Sequence, residues 1–289
     1  MEFLSFKVQG RSSYGFLNDG GVHDLGARIS SVLPDLKSYL RAGSLGLLPA
    51  SPKPSSVADW ALGDIVFEPV IPNPEKIICI GLNYEDHRNE TGRSKSEYPS
   101  LFTRFADTLR AHRAPIILPR ISTALDYEGE LAVIIGRPGF RVPKEKALDL
   151  VAGYACFNDA TLRDWQRHTT QFIPGKNFPG TGALGPALVT APLDGFSDRK
   201  IESRLNGKVM QSAKLGDMIF GVPEILAYLT SFTRLSPGDV IATGTPGGVG
   251  FKREPPIYMK AGDTTEVLID GVGHLINTVQ AEATEVPRD

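Results

Sequence analysis

Asp126-Tyr127-Glu128-Gly129-Glu130-Leu131-Ala132-Val133-Ile134-Ile135-Gly136 decides the reading of this chain. An apolar run of strand length follows two carboxylates spaced by one residue. Strand side chains alternate faces, so Glu128 and Glu130 point the same way. Two carboxylates on one face repel unless a positive charge sits between them. A hard divalent cation is the usual solution, because Mg²⁺ and Mn²⁺ take oxygen ligands and keep positions open for substrate. A lone E-x-E is more often a solvated strand edge, so the rest of the chain has to carry the argument.

The composition is that of an ordinary globular protein: 289 residues, 41% hydrophobic and 22% charged, with a net charge of −2. No basic surplus points to nucleic acid or to an anionic membrane. The apolar runs are of strand length, far below the roughly 20 residues of a membrane helix. Met1 to Lys7 has no basic segment leading into an apolar one, so no secretory leader is expected. Cys79 and Cys156 both lie in apolar strand-like runs. They read as buried free thiols of a reducing compartment, with the cytoplasm as the expected location.

Residues 1–72 form a small N-terminal domain in this reading, and residues 73–289 a catalytic one. Phe3–Phe6, Tyr14–Leu17 and Val22–Leu25 are strand candidates, with Asn18-Asp19-Gly20-Gly21 as the turn between the last two. Leu33–Leu40 predicts a short helix, and Ser51–Ser56 a surface linker. The second part is rich in strands: 76–81, 131–135, 151–157, 187–190, 201–205, 239–243 and 264–269. Helices are predicted after Pro143, after a cap at Asn158 or Asp159, and after Pro223. The fold class is mixed α/β, dominated by β.

Further groups carry chemistry. Asp159, at the end of an apolar strand and near a helix start, can serve as a third carboxylate ligand or simply as a helix cap, and by itself reads as the cap. His87 and Glu90 are i and i+3 on a short helix, a carboxylate beside an imidazole, as general-base chemistry requires. Arg163 and Gln166 have the same spacing and suit a substrate carboxylate and carbonyl. Lys176, in a Gly/Pro-bounded loop, suits a developing oxyanion. Thr243-Gly244-Thr245-Pro246-Gly247-Gly248-Val249-Gly250 offers backbone N–H groups and a hydroxyl to an anion. It lacks the Lys-Ser/Thr ending of a phosphate-binding P-loop, which argues against nucleotides.

These stretches, in this order, resemble the fumarylacetoacetate hydrolase family, in its bacterial acylpyruvate-hydrolase-like branch, over roughly residues 75–280. The likeness is carried by Gly81-Leu82-Asn83-Tyr84 with His87, and by Asp126 through Leu131. It continues through Asn158-Asp159, Arg163-Asp164-Trp165-Gln166, Gly175-Lys176 with Phe178, Gln211, and Gly238 through Pro246. The resemblance implies a β-roll catalytic domain behind a small N-terminal α+β domain, usually as a homodimer. It implies Mg²⁺, with Mn²⁺ or Ca²⁺ as alternatives, on Glu128, Glu130 and Asp159. It implies His87 and Glu90 as a lid dyad, and Arg163, Gln166, Lys176 and Thr245 in contact with substrate or water. Arg104, in Phe102-Thr103-Arg104, stands where many relatives have Lys and is taken as a substrate contact, a fork in place of a point charge. The expected reaction is metal-dependent hydrolysis of a carbon–carbon bond in an acylpyruvate or β-diketo acid. The alternative is decarboxylation of oxaloacetate or isomerisation of an oxo-diacid on the same site. The expected partner is a small oxo acid.

Overall fold

The computed structural model describes residues 1–48, 57–94 and 96–283. The linker expected at Ser51–Ser56 lies outside the described residues. The core is built on strand Gly129–Ile135, buried along its whole length. It pairs antiparallel with Val151–Asn158 on one side and with Val240–Ala242 on the other. Val240–Ala242 continues parallel to Ile77–Gly81, which pairs with Ser100–Arg104. Val151–Asn158 continues into Gly182–Thr190. A second, five-stranded sheet holds Lys200–Leu205, Lys208–Lys214, Thr264–Ile269, Gly273–Ala281 and Ile116–Leu118.

Alternation along Gly129–Ile135 assigns its two faces. Leu131, Val133 and Ile135 pack with Ile201, Val267 and Leu275 of the second sheet and with Leu226 and Leu229 of helix Val222–Phe232. Ala132 and Ile134 pack on the opposite side, with Phe3, Tyr14 and Leu36 of the N-terminal residues. A strand buried on both faces reads as a continuous apolar run, as this one does. Glu130 shares the parity of Ala132 and Ile134. Gly129 takes the other face: a Cβ there would stand 3.0 Å from the Ser203 Cβ, so the second sheet closes down on bare backbone.

The N-terminal strands Glu2–Val8, Arg11–Asn18 and Gly21–Asp24 form an antiparallel meander. Its second turn places Asp19 and Gly20 at φ 49° and 76°, the conformation that a tight hairpin selects. The helix expected over Leu33–Leu40 starts at Leu36, because the Asp35 carboxylate accepts the Ser38 N–H and fixes the cap there. Across the boundary expected at residue 72 the packing is continuous. Glu2 and Phe3 pair with Val189 and Leu188, and the two parts of the chain share one twelve-stranded sheet and one apolar cluster.

Asn158 and Asp159 do not cap a helix. A short bridge at Thr161–Leu162 comes first, and the helix Arg163–Gln166 starts from Leu162 without a side-chain cap. Pro143 precedes a 3₁₀ helix, Lys144–Leu150, and Pro223 lies in the first turn of Val222–Phe232.

Asn83, buried just beyond Ile77–Gly81, ties three segments together. Its amide donates to the Thr243 and Phe220 carbonyls at 2.7 and 3.0 Å, and its carbonyl accepts the Phe220 N–H at 2.8 Å. Asn83→Ala leaves those backbone groups buried and unpaired, at a cost of about 3 kcal/mol. Urea unfolding followed by circular dichroism should show a lower midpoint, and an unshifted midpoint would refute this role.

Candidate active site

Three carboxylates meet beside the first residues of strand Gly129–Ile135. Glu128 enters the strand Gly129–Ile135, Glu130 is its second residue, and Asp159 follows Val151–Asn158. All three are buried, with oxygens within 4.8 Å of one another. Their neighbours are cations. The Lys176 ammonium donates to Asp159 Oδ2 at 2.5 Å, Glu128 Oε2 at 2.6 Å and the Asp159 carbonyl at 3.1 Å. Arg163 Nη2 lies 2.6 Å from Glu128 Oε1. Arg104 Nη1 donates to Asp159 Oδ1 at 2.6 Å.

Burial and charge set the protonation of this cluster. Burial alone would raise Glu128, but Arg163 and Lys176 outweigh it and hold the carboxyl at about 2. Burial alone would lower Lys176, but Asp159 and Glu128 keep it charged. Glu130 is pushed well above the ordinary range by burial and by the negative charges of Asp159 and Glu128. Its Oε2 accepts one backbone N–H, from Gly244 at 2.9 Å.

The donor set fits a hard divalent cation. It is all carboxylate oxygen, buried, and already holds an ammonium between two of its members, Glu128 and Asp159. Glu128, Glu130 and Asp159 would hold the ion.

His87, buried on helix Glu85–Thr91, has its Nδ1 2.7 Å from Glu90 Oε1. Glu90 Oε2 in turn accepts the Gly248 N–H at 2.9 Å. His87, Glu128, Glu130 and Thr245 line one inner cavity of about 40 Å³. Leu82, His87 and Phe172 also border an outer chamber of about 550 Å³. Leu82 has φ 58°, an uncommon conformation for a branched side chain, at the join between strand Ile77–Gly81 and the His87 helix.

The remaining expected site residues are nearby, with their polar atoms largely committed. Arg163 Nε donates to Asp126 at 2.8 Å and Nη1 to Gln166 Oε1 at 3.0 Å. The Thr245 hydroxyl donates to the Gly129 carbonyl and accepts from Gln211 Nε2 at 2.6 Å. Arg104 is fully buried behind Asp159, and also holds the Ala160 carbonyl and Thr181 Oγ1. Lys176 has all three protons engaged, so its charge rather than a free hydrogen bond reaches the cavity.

Two features escaped sequence reading. The Gly-rich loop turns its N–H groups on the protein's own carboxylates: Gly244 on Glu130, Gly248 on Glu90 and Gly250 on Asp126. Asp126 is the second. It accepts three backbone N–H groups besides Arg163 and orients that guanidinium. Its sequence parity with Glu128 was the available signal.

Residues 76–280 match the family described as fumarylacetoacetate (FAA) hydrolase C-terminal. The chain belongs to the fumarylacetoacetate hydrolase family. Among its relatives, the mitochondrial oxaloacetate tautomerase fahd2 of Xenopus laevis is 38% identical over 91% of this chain and 84% of its own length. The oxaloacetate tautomerase YisK of Bacillus subtilis is 42% identical over 76% of this chain and 75% of its own. The solved fumarylacetoacetate hydrolase of Exiguobacterium antarcticum superposes with a TM-score of 0.85 at 34% identity, covering 98% of this chain and 100% of that one. The family fold thus spans the N-terminal residues as well. No described helix is long and apolar enough to cross a membrane.

Two outcomes test the cluster. Arg104→Lys keeps the charge, but one ammonium replaces a fork that reaches Asp159, Ala160 and Thr181, and the loss should be about 2 kcal/mol in thermal or urea unfolding. A wild-type midpoint would remove Arg104 from the support of Asp159. Glu130 with a raised pKa keeps a proton in the metal-free protein, and a bound cation must expel it. Mn²⁺ affinity should therefore rise with pH. Calorimetry in two buffers of different ionisation enthalpy should reveal proton release that Glu130→Gln abolishes; buffer-independent heats in wild type would exclude it.

Proposed function

We propose that this protein moves a proton at the carbon beside the carbonyl of a 2-oxo diacid, interconverting the enol and keto forms of oxaloacetate. The observation that carries the reading is the placement of His87, oriented by Glu90, on the same cavity as Glu128 and Glu130. The substrate rests on the two relatives named oxaloacetate tautomerases. A cation held by Glu128, Glu130 and Asp159 would supply Lewis acidity to the 2-oxo oxygen.

In the ketonising direction His87 gives a proton to C3 of the enol. The C2–C3 double-bond pair forms the new C–H bond, the O–H pair becomes the second C–O bond, and the hydroxyl proton leaves to solvent, which returns a proton to His87. Glu90 holds the His87 Nδ1, which leaves Nε2 as the working nitrogen. Lys176, Arg163 and Arg104 keep the neighbouring carboxylates fixed while charge develops.

Hydrolysis of an acylpyruvate, the first expectation from sequence, is the second reading. The His87–Glu90 pair also suits activation of a water, and the Exiguobacterium neighbour is named a fumarylacetoacetate hydrolase. The names of the relatives favour enol chemistry, so hydrolysis takes second place. We also propose a homodimer, from family resemblance, and a reducing aqueous compartment such as the cytoplasm, from the free thiols Cys79 and Cys156. The Xenopus relative is named as mitochondrial.

Fresh enol-oxaloacetate, assayed with excess malate dehydrogenase that consumes only the keto form, separates the readings from acetylpyruvate cleavage run in parallel. Acceleration with oxaloacetate and none with acetylpyruvate is expected; the reverse would establish the hydrolase. His87→Asn should lose about 10²-fold or more in rate, with Mn²⁺ affinity within a few-fold of wild type. Full turnover in that variant would remove His87 from the reaction.

A further inference from the structure

The outer chamber contains more positive charge than its chemistry so far uses. Arg163, Arg167, Arg93 and Lys252 line it, and no carboxylate does so among the described residues. Arg163 cannot be the free cation of this set. Its guanidinium is engaged by Asp126, Glu128 and Gln166. Arg167 is different. It has no carboxylate partner among the described residues, and it stands at the end of the same short helix, exposed to the chamber.

Phe251 holds Arg167 in place. The Arg163 guanidinium carbon lies 4.3 Å from the Phe251 ring centroid and that of Arg167 5.0 Å, so two guanidiniums converge on one phenyl ring. The Phe251 N–H donates to Asp126 Oδ2 at 3.0 Å, which anchors the platform to the buried cluster. With Arg163 compensated by its own carboxylates, Arg167, Arg93 and Lys252 on a chamber without a lining carboxylate produce a local positive field. A guanidinium fork stacked on an aromatic ring is pre-organised for a planar carboxylate.

We infer that Arg167, stacked on Phe251, is the specificity-determining contact for a second carboxylate, and that it selects 2-oxo diacids over 2-oxo monoacids. The inference rests on the proposed enol–keto reading for the identity of the substrate, while the distal-anion subsite rests on the chamber itself. The inner cavity takes the reacting 2-oxo acid end beside His87. The outer chamber takes the far carboxylate.

The test uses full-length protein loaded with Mn²⁺ and two unreactive probes, L-malate with two carboxylates and L-lactate with one. Calorimetry on wild type should give tighter binding of malate, a preference that shrinks as salt is raised. Arg167→Ala should reduce the malate-over-lactate preference about tenfold, and Arg167→Lys should restore part of it, the charge without the stacked fork. The KM for oxaloacetate should rise with the malate Kd in the same variants. A wild type without preference for malate, an Arg167→Ala protein that keeps it, or a preference lost only in Lys252→Ala would each overturn the assignment. A wild type that prefers malate but does not turn over oxaloacetate, with the preference lost in Arg167→Ala, would uphold the subsite and sink the tautomerase reading alone.

Discussion

Buried charge is the constraint that organises this molecule. Glu128, Glu130 and Asp159 are nearly devoid of solvent, and an isolated carboxylate in such a place costs several kcal/mol. Lys176, Arg163 and Arg104 offset that cost, and each is fixed by further bonds: Lys176 to the Asp159 carbonyl, Arg163 to Asp126 and Gln166, Arg104 to Ala160 and Thr181. The strands that present these residues are buried on both faces, so the charges cannot turn toward water without breaking the core. Fold and site are thus one problem: the sheets hold the carboxylates in place, and the cations make that placement tolerable.

The same interplay explains what the sequence revealed. The apolar runs at 131–135, 151–157 and 264–269 are strands because nothing in them satisfies a helical period, and Glu128 and Glu130 share a face because strands alternate. His87 and Glu90 meet because helical geometry brings i and i+3 together. Strand Gly273–Ala281 was not legible, since buried Asn277 interrupts its apolar alternation. That amide is spent on the Ala111 and Ala114 carbonyls, partners more than 160 residues away that no local pattern encodes. Asp159 looked like a helix cap because a carboxylate before a helix usually is one. Arg104 and Lys176, 72 residues apart, meet on its two oxygens and claim it.

The two proposed chemistries make different demands on the residues around the site. Enolisation needs one well-placed base and a stabilised oxygen. Hydrolysis needs, in addition, room for a water beside the substrate carbonyl. Of the groups that would orient such a water, Thr245 and Lys176 are bonded to neighbouring protein groups, and Gln166, on the outer chamber, is bonded through its Oε1, while its amide nitrogen has no partner among the described residues.

Counting charge across the buried cluster has a further consequence. Asp126, Glu128, Glu130 and Asp159 face Arg104, Arg163 and Lys176, four acids against three bases. With Glu130 protonated the group is neutral; with Glu130 ionised it is negative by one. Two positive charges added at the carboxylates reverse that sign. An anionic substrate entering past the cationic chamber would then find an inner cavity without net charge before a cation arrives and one that attracts it afterward. Electrostatics alone would thus favour an anion after a cation over an anion before it, without a moving part.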